Sequence, residues 1–116
     1  MSVTIYHNPR CSKSRQTLAR LEARGIEPEI VRYLDDPPDV DTLQAIVAQL
    51  GMRPAQLLRR GESEYRELGL AEQLDDDAAV LQAMAKHPRL IERPIVVVGD
   101  RARLGRPPES VDEILP

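Results

Sequence analysis

The chain opens with a short apolar stretch, Val3–Tyr6, that stops at Asn8-Pro9. Its length and its terminator predict a short buried strand, because proline disfavours the helical conformation in the residue before it. From about Ser12 to Arg24 helix formers dominate, with Leu18 and Leu21 three apart on one face and Gly25 placed where a helix end takes positive φ. "PEIVRYL" then predicts a second strand centred on Ile30 and Val31, closed by Asp35-Asp36-Pro37-Pro38. Strand, tight loop, helix and strand make a βαβ unit, for which a parallel pair with a right-handed crossover is the usual solution.

Beyond the prolines, Leu43, Ile46, Val47 and Leu50 recur at i, i+3, i+4 and i+7. This spacing predicts an amphipathic helix capped by Asp39 or Asp41 and ended by Gly51. Met52–His87 reads as helical throughout but broken, with Pro54 in a first turn, Gly61 and Gly69 as punctuation, and "DDDAAVLQAMAKH" carrying acids at its start and bases at its end. The period changes again at "RPIVVVGDRARL", where the β-branched run Ile95–Val98, a Gly99-Asp100 turn and a polar return predict a β-hairpin. The tail "PPESVDEILP" reads as a short capped helix. The order β-α-β-α…α-β-β-α predicts a mixed sheet with helices on its faces, an α/β layer architecture.

At 116 residues, one domain spanning 1–116 is expected, with the helical middle at about 40–88 as an insertion. With 3% aromatics and neither Trp nor Phe, the core must come from Leu, Ile, Val, Ala and Met, and a surface that stacks nucleic-acid bases has little to work with. The net charge is −3 and the bases are interspersed, so no nucleic-acid partner is expected. One Cys excludes an intramolecular disulfide. The N-terminus lacks a signal-peptide layout and no apolar run reaches about 20 residues, so a cytoplasmic, non-membrane protein is expected. A monomer is expected, with no bound metal or cofactor.

"HNPRCSKSRQTL" holds the only cysteine, Cys11. By residue type alone it reads as a small buried apolar residue. Its place after a strand and turn, at the start of the first helix, favours a thiolate, because free N–H groups and the helix dipole stabilise negative sulfur. Ser12 and Ser14 can donate hydroxyl hydrogen bonds to it, and His7, Arg10, Lys13 and Arg15 are positive neighbours. His7 is either a polar strand-end residue or an imidazolium that favours ionised sulfur. Cys11 and Ser14 have the C-x-x-S spacing of a dithiol redox motif with the second thiol replaced, so an outside thiol must finish any redox cycle. A phosphatase-type loop would need an arginine where Thr17 stands. Pro94 is either an ordinary strand-entry proline or a cis-proline facing the thiol. Arg59 at a helix end, Arg93 and Arg106 are either surface charges or an oxyanion clamp, their guanidinium forks suiting tetrahedral oxyanions.

Together, "IYHNPRCSKSRQTL", "YLDDPPDVDTL", "LLRRGESEYRELGL", "HPRLIERPIVV" and "RLGRPPESV" resemble the glutaredoxin-coupled arsenate reductase family from about Val3 to the C-terminus. The resemblance implies a thioredoxin-like fold with a helical insertion. It implies that Cys11 attacks arsenate to form a thiol–arsenate adduct, that glutathione as co-substrate attacks the adduct, and that glutaredoxin resolves the mixed disulfide to release arsenite. His7 matches the histidine that lowers the thiol pKa there, and Ser14 a hydroxyl supporting the thiolate. Arg59, Arg93 and Arg106 match arginines of the "LLR", "RPI" and "R-L-x-R-P" motifs that bind the oxyanion or stabilise the adduct. Gly105 stands where close members often have cysteine, a change from which little effect is expected. "CSKS" differs from the "CGTS" of well-studied members, and Lys13 there bears on partner docking or on the thiol pKa. Two other readings share the fold: an Spx-like redox transcription regulator, against which Ser14 in place of a second cysteine argues, and a glutathione-dependent thiol transferase.

Overall fold

The computed structural model describes residues 2–116. Val3–Tyr6 forms strand β1, with Val3 and Ile5 buried. Ser12–Ala23 forms helix α1 and Glu29–Val31 forms β2, which pairs with β1 in parallel and places Ile5 beside Ile30. The second strand is shorter than the "PEIVRYL" run predicts. The Asp35 and Asp36 N–H groups both donate to the Arg32 carbonyl (3.0 and 2.9 Å), so the chain turns as soon as the ladder ends. Val40–Leu50 is α2, with the Thr42 N–H donating to Asp39 Oδ1 at 2.8 Å and Gly51 left-handed at φ 70°. Ser63–Glu67 and Asp77–Lys86 are α3 and α4. Ile95–Val98 and Arg101–Leu104 are β3 and β4.

Two expectations change in detail. "RPAQLLRR" contains one 3-10 turn, Pro54–Leu57, after which Leu58 makes an antiparallel bridge to Ile91, so the middle is not purely helical. The tail is also 3-10 rather than α-helical, over Pro108–Ile114. Both segments begin with proline, which removes a helix-closing donor, and both are short enough for i→i+3 bonding to compete.

The chain divides into two compact units. One comprises the residues up to Asp36 with Arg93–Pro116, and holds the sheet in the order β2-β1-β3-β4. β3 is antiparallel to both β1 and β4, and places Val96 opposite Ile5 and Val98 opposite Val3. These four side chains form its core with Leu21 of α1 and with Val111 and Ile114 of the C-terminal turn. Each such residue, once fully buried, contributes about 1.5–3 kcal/mol. Arg20 of α1 also makes a two-pronged ion pair with Asp112 (2.7 and 2.6 Å).

The other unit, Pro37–Glu92, is built on the apolar faces of α2 and α4. Leu43, Ile46 and Val47 of α2 and Val80, Leu81 and Met84 of α4 are buried there, as are Leu57, Leu70, Leu90 and Ile91. Among the described residues no helix is long and apolar enough to cross a membrane.

Candidate active site

The Asn8 carbonyl accepts the Cys11 N–H at 3.0 Å, closing the turn that leads β1 into α1. Cys11 is the residue that caps α1, in extended conformation (φ −95°, ψ 122°), and its carbonyl accepts the Arg15 N–H at 3.0 Å. No side chain caps this helix end, so its first N–H groups remain available to an anion. Burial pushes the Cys11 thiol up, but hydrogen bonds from the backbone N–H groups of Ser14 and Lys13 and the charges of Arg93 and Arg106 outweigh it, and the pKa falls below the ordinary 9.0.

The two arginines sit on paired strand extensions. Gly105 N–H donates to the Pro94 carbonyl at 2.9 Å, continuing the β3–β4 ladder, and Arg106 Nη1 donates to the Arg93 carbonyl at 3.0 Å. Pro94 is cis, and so is Pro107, which the sequence did not suggest. Arg93 Nε is buried without a hydrogen-bond partner. A buried donor left empty beside a thiolate is a place for an acceptor oxygen, since an unsatisfied N–H of this kind is costly.

His7 has a different setting from the one expected. Its ring is buried, with Nδ1 2.6 Å from Ser14 Oγ. Burial lowers its pKa, Arg32 and Arg15 lower it further, and Glu22 offsets only part. The neutral imidazole is thus favoured, and the groups that depress the thiol are the Ser14 and Lys13 amides and the two arginines rather than a histidine cation. The Ser14 hydroxyl is likewise turned to His7, and it also accepts the Asn8 N–H at 3.0 Å. Ser14 therefore serves the sulfur through its backbone and holds the loop through its side chain.

A thiol thus stands at a helix start, with two charged arginines of a hairpin opened by a cis-proline acting on it. The ArsC family model matches residues 6–114. The chain belongs to the ArsC family. It is 53% identical over 114 residues to an Escherichia coli (strain K12) protein named "Uncharacterized protein YfgD", covering 97% of this chain and 96% of that one. It is 50% identical over 117 residues to an arsenate reductase of Haemophilus influenzae, covering 99% of this chain and all of that one. The solved arsenate reductase of Vibrio cholerae superposes with a TM-score of 0.95 at 52% identity, covering 99% of this chain and 98% of that one.

In this ArsC-family chain the first unit brings together His7, Cys11, Ser14, Arg93, Pro94 and Arg106. Arg59 belongs to the other unit. It does not end a helix: it follows the Leu58 bridge, donates its N–H to the Leu90 carbonyl at 2.7 Å, and faces Glu62 (3.6 Å) and Glu92 (3.8 Å).

Gly105 is not an indifferent position. A Cβ there would collide with Thr17 Oγ1 and lie 2.7 Å from Pro94 Cγ. Thr17 is fully buried on α1, its hydroxyl donating to the Lys13 carbonyl at 2.8 Å. The absence of a side chain at Gly105 thus sets how closely the hairpin approaches the helix that carries Cys11. Sequence reading missed this contact because Thr17 and Gly105 are 88 positions apart and nothing in their local pattern connects them. Among the described residues no cluster of three or more His, Cys, Asp or Glu is arranged to hold a metal.

Proposed function

We propose that the protein reduces arsenate to arsenite through Cys11, with glutathione and glutaredoxin supplying the electrons. The observation that carries this reading is the depressed Cys11 thiol with Arg93 and Arg106 beside it and a buried, empty Nε–H on Arg93. Family membership and the arsenate reductase names of close relatives support it.

The Cys11 thiolate attacks As(V), an S–As bond forms, and one arsenate oxygen leaves as water after taking a proton. Arg93 and Arg106 neutralise the oxyanion and the charge that develops on the remaining oxygens. Arg59 is assigned the same task on the family's motif. The glutathione thiolate then attacks the Cys11 sulfur. The S–As bond breaks, its electron pair stays on arsenic, and As(III) leaves as arsenite while the two sulfurs form a mixed disulfide. A glutaredoxin thiol attacks the glutathione sulfur of that disulfide and returns Cys11 to its reduced form. With no second cysteine in the chain, the electrons must come from outside.

The test is NADPH oxidation dependent on arsenate, with glutathione, glutathione reductase and glutaredoxin present. Wild type is expected to turn over, Cys11→Ser to be inactive, and Arg93→Gln to lose about a hundredfold or more in kcat/KM through one missing oxyanion donor. Activity toward glutathionylated substrates with none toward arsenate would replace this reading with a thiol transferase.

A further inference from the structure

A recess opens beside the loop that leads into Cys11. About 300 Å³ in volume, it is lined by His7, Asn8, Pro9, Arg10, Arg32, Leu34 and Asp35, with neither Arg93 nor Arg106 in its wall. Two hydrogen-bonded turns frame it. One is closed by the Cys11 N–H to the Asn8 carbonyl, with the Arg10 N–H on Asn8 Oδ1 at 3.0 Å. The other is the turn in which the Arg32 carbonyl takes both the Asp35 and Asp36 N–H groups. The first follows β1 and the second follows β2, so the recess lies at the carboxyl ends of two adjacent parallel strands, where open α/β sheets place their ligands.

Its wall carries charges of both signs. Arg20, Arg24, Arg53, Arg59, Arg89 and Arg103 each meet a carboxylate. Among the described residues no carboxylate lies within ion-pair distance of Arg10 or Arg32, although Asp35 lines the same recess. Two guanidiniums without carboxylate partners and one carboxylate free of them are therefore held around one small cavity in a protein of net charge −3. A ligand complementary to this set carries two carboxylates and one ammonium. Glutathione, a peptide thiol, has that complement: an α-carboxylate and α-ammonium at one end and a glycine carboxylate at the other.

We propose that this recess is the docking site of the peptide thiol that resolves the Cys11 adduct, with Arg10 and Arg32 taking its carboxylates and Asp35 its ammonium. The proposal rests on the reductase reading for the thiol's purpose. Its location follows from the recess alone. Because the cavity borders the turn that leads into Cys11 but excludes the two arginines beside the sulfur, a thiol anchored here does not compete with the oxyanion for donors.

Two measurements test it. The first is binding of S-methylglutathione, which cannot react, followed by amide chemical shifts on the full chain. Wild type is expected to shift residues 7–10 and 32–35, with affinity falling about tenfold or more in Arg10→Gln and in Arg32→Gln, each losing one charge-assisted contact. Asp35→Asn is expected to weaken S-methylglutathione but not its N-acetylated form. The second is turnover with glutathione against turnover with 2-mercaptoethanol, which carries no carboxylate. Both arginine variants are expected to raise KM for glutathione alone and to leave the neutral thiol and the KM for arsenate unchanged.

Unchanged binding of S-methylglutathione by the double arginine variant overturns the proposal. So does a rise in KM for glutaredoxin with glutathione binding intact, which makes the patch a protein-docking surface. If wild type reduces no arsenate with any thiol, the reductase reading fails, and the binding measurement still decides whether the recess takes the peptide.

Discussion

Cys11 titrates low because donors and cations converge on its sulfur strongly enough to overcome the penalty of burial. Its rate of alkylation by iodoacetamide should rise with pH to a midpoint below the ordinary 9.0, and Arg93→Gln and Arg106→Gln should each move that midpoint upward. A midpoint unmoved by both would show that the amides alone hold the thiolate. His7 makes the opposite kind of prediction. Its folded-state pKa lies below the unfolded value of about 6.5, so the native state resists the proton that the unfolded chain accepts. Its contribution to stability is complete above pH 6.5 and is lost as pH falls through and below that value. Urea unfolding across pH 5 to 8 should show this acid loss, and His7→Gln should flatten it. Both residues were legible as candidates from "HNPRCSKS", but their relation was not. A histidine four residues from a cysteine suggests a direct electrostatic pair, whereas the turn at Asn8 delivers the imidazole to Ser14 instead.

Elements meet most tightly where α1 approaches the end of the hairpin. Gly105 lies against Thr17 and the cis-Pro94 ring, and the residues on either side of that seam are the ones that carry charge to the thiol. Gly105→Ala is expected to cost about 1–3 kcal/mol, as overpacking of a close contact does. Thr17→Ala removes two of the three nearest atoms, so the cost of Gly105→Ala should fall by about 0.5 kcal/mol or more in that background. Thermal and urea unfolding of the two singles and the double measure this coupling, and additive losses would show that the hairpin yields elsewhere. The positions of β1, α1, α2, β3 and β4 could be read from apolar period and punctuation, because each element is specified by neighbours a few residues away. β2 was read at the right place too, but its early end, the Leu58–Ile91 bridge and the 3-10 tail could not be, because local hydrogen-bond competition at chain turns and prolines decides them.

Over the whole chain the charge is −3, yet Arg93 and Arg106 exert a field on Cys11. An anionic substrate is thus drawn toward the thiol through a local field that salt screens. Raising ionic strength from about 0.01 to 0.15 M shortens the Debye length from about 30 to 8 Å. It should lower kcat/KM for arsenate severalfold while leaving alkylation by the neutral reagent iodoacetamide nearly unchanged above the thiol midpoint, where the thiolate is already formed. Equal sensitivity of both rates would point to a change in the thiol itself. What the sequence determined by itself was the α/β order, the single thiol with its place at a helix start, and the lack of a second cysteine to pair with it, since these depend on residue type and short-range periodicity. The tertiary structure alone decided which groups charge the sulfur, why position 105 lacks a side chain, and where Arg10, Arg32 and Asp35 surround a common recess. Those relations join residues far apart in the chain, and only close packing of the sheet, helix and hairpin brings them within a few ångströms.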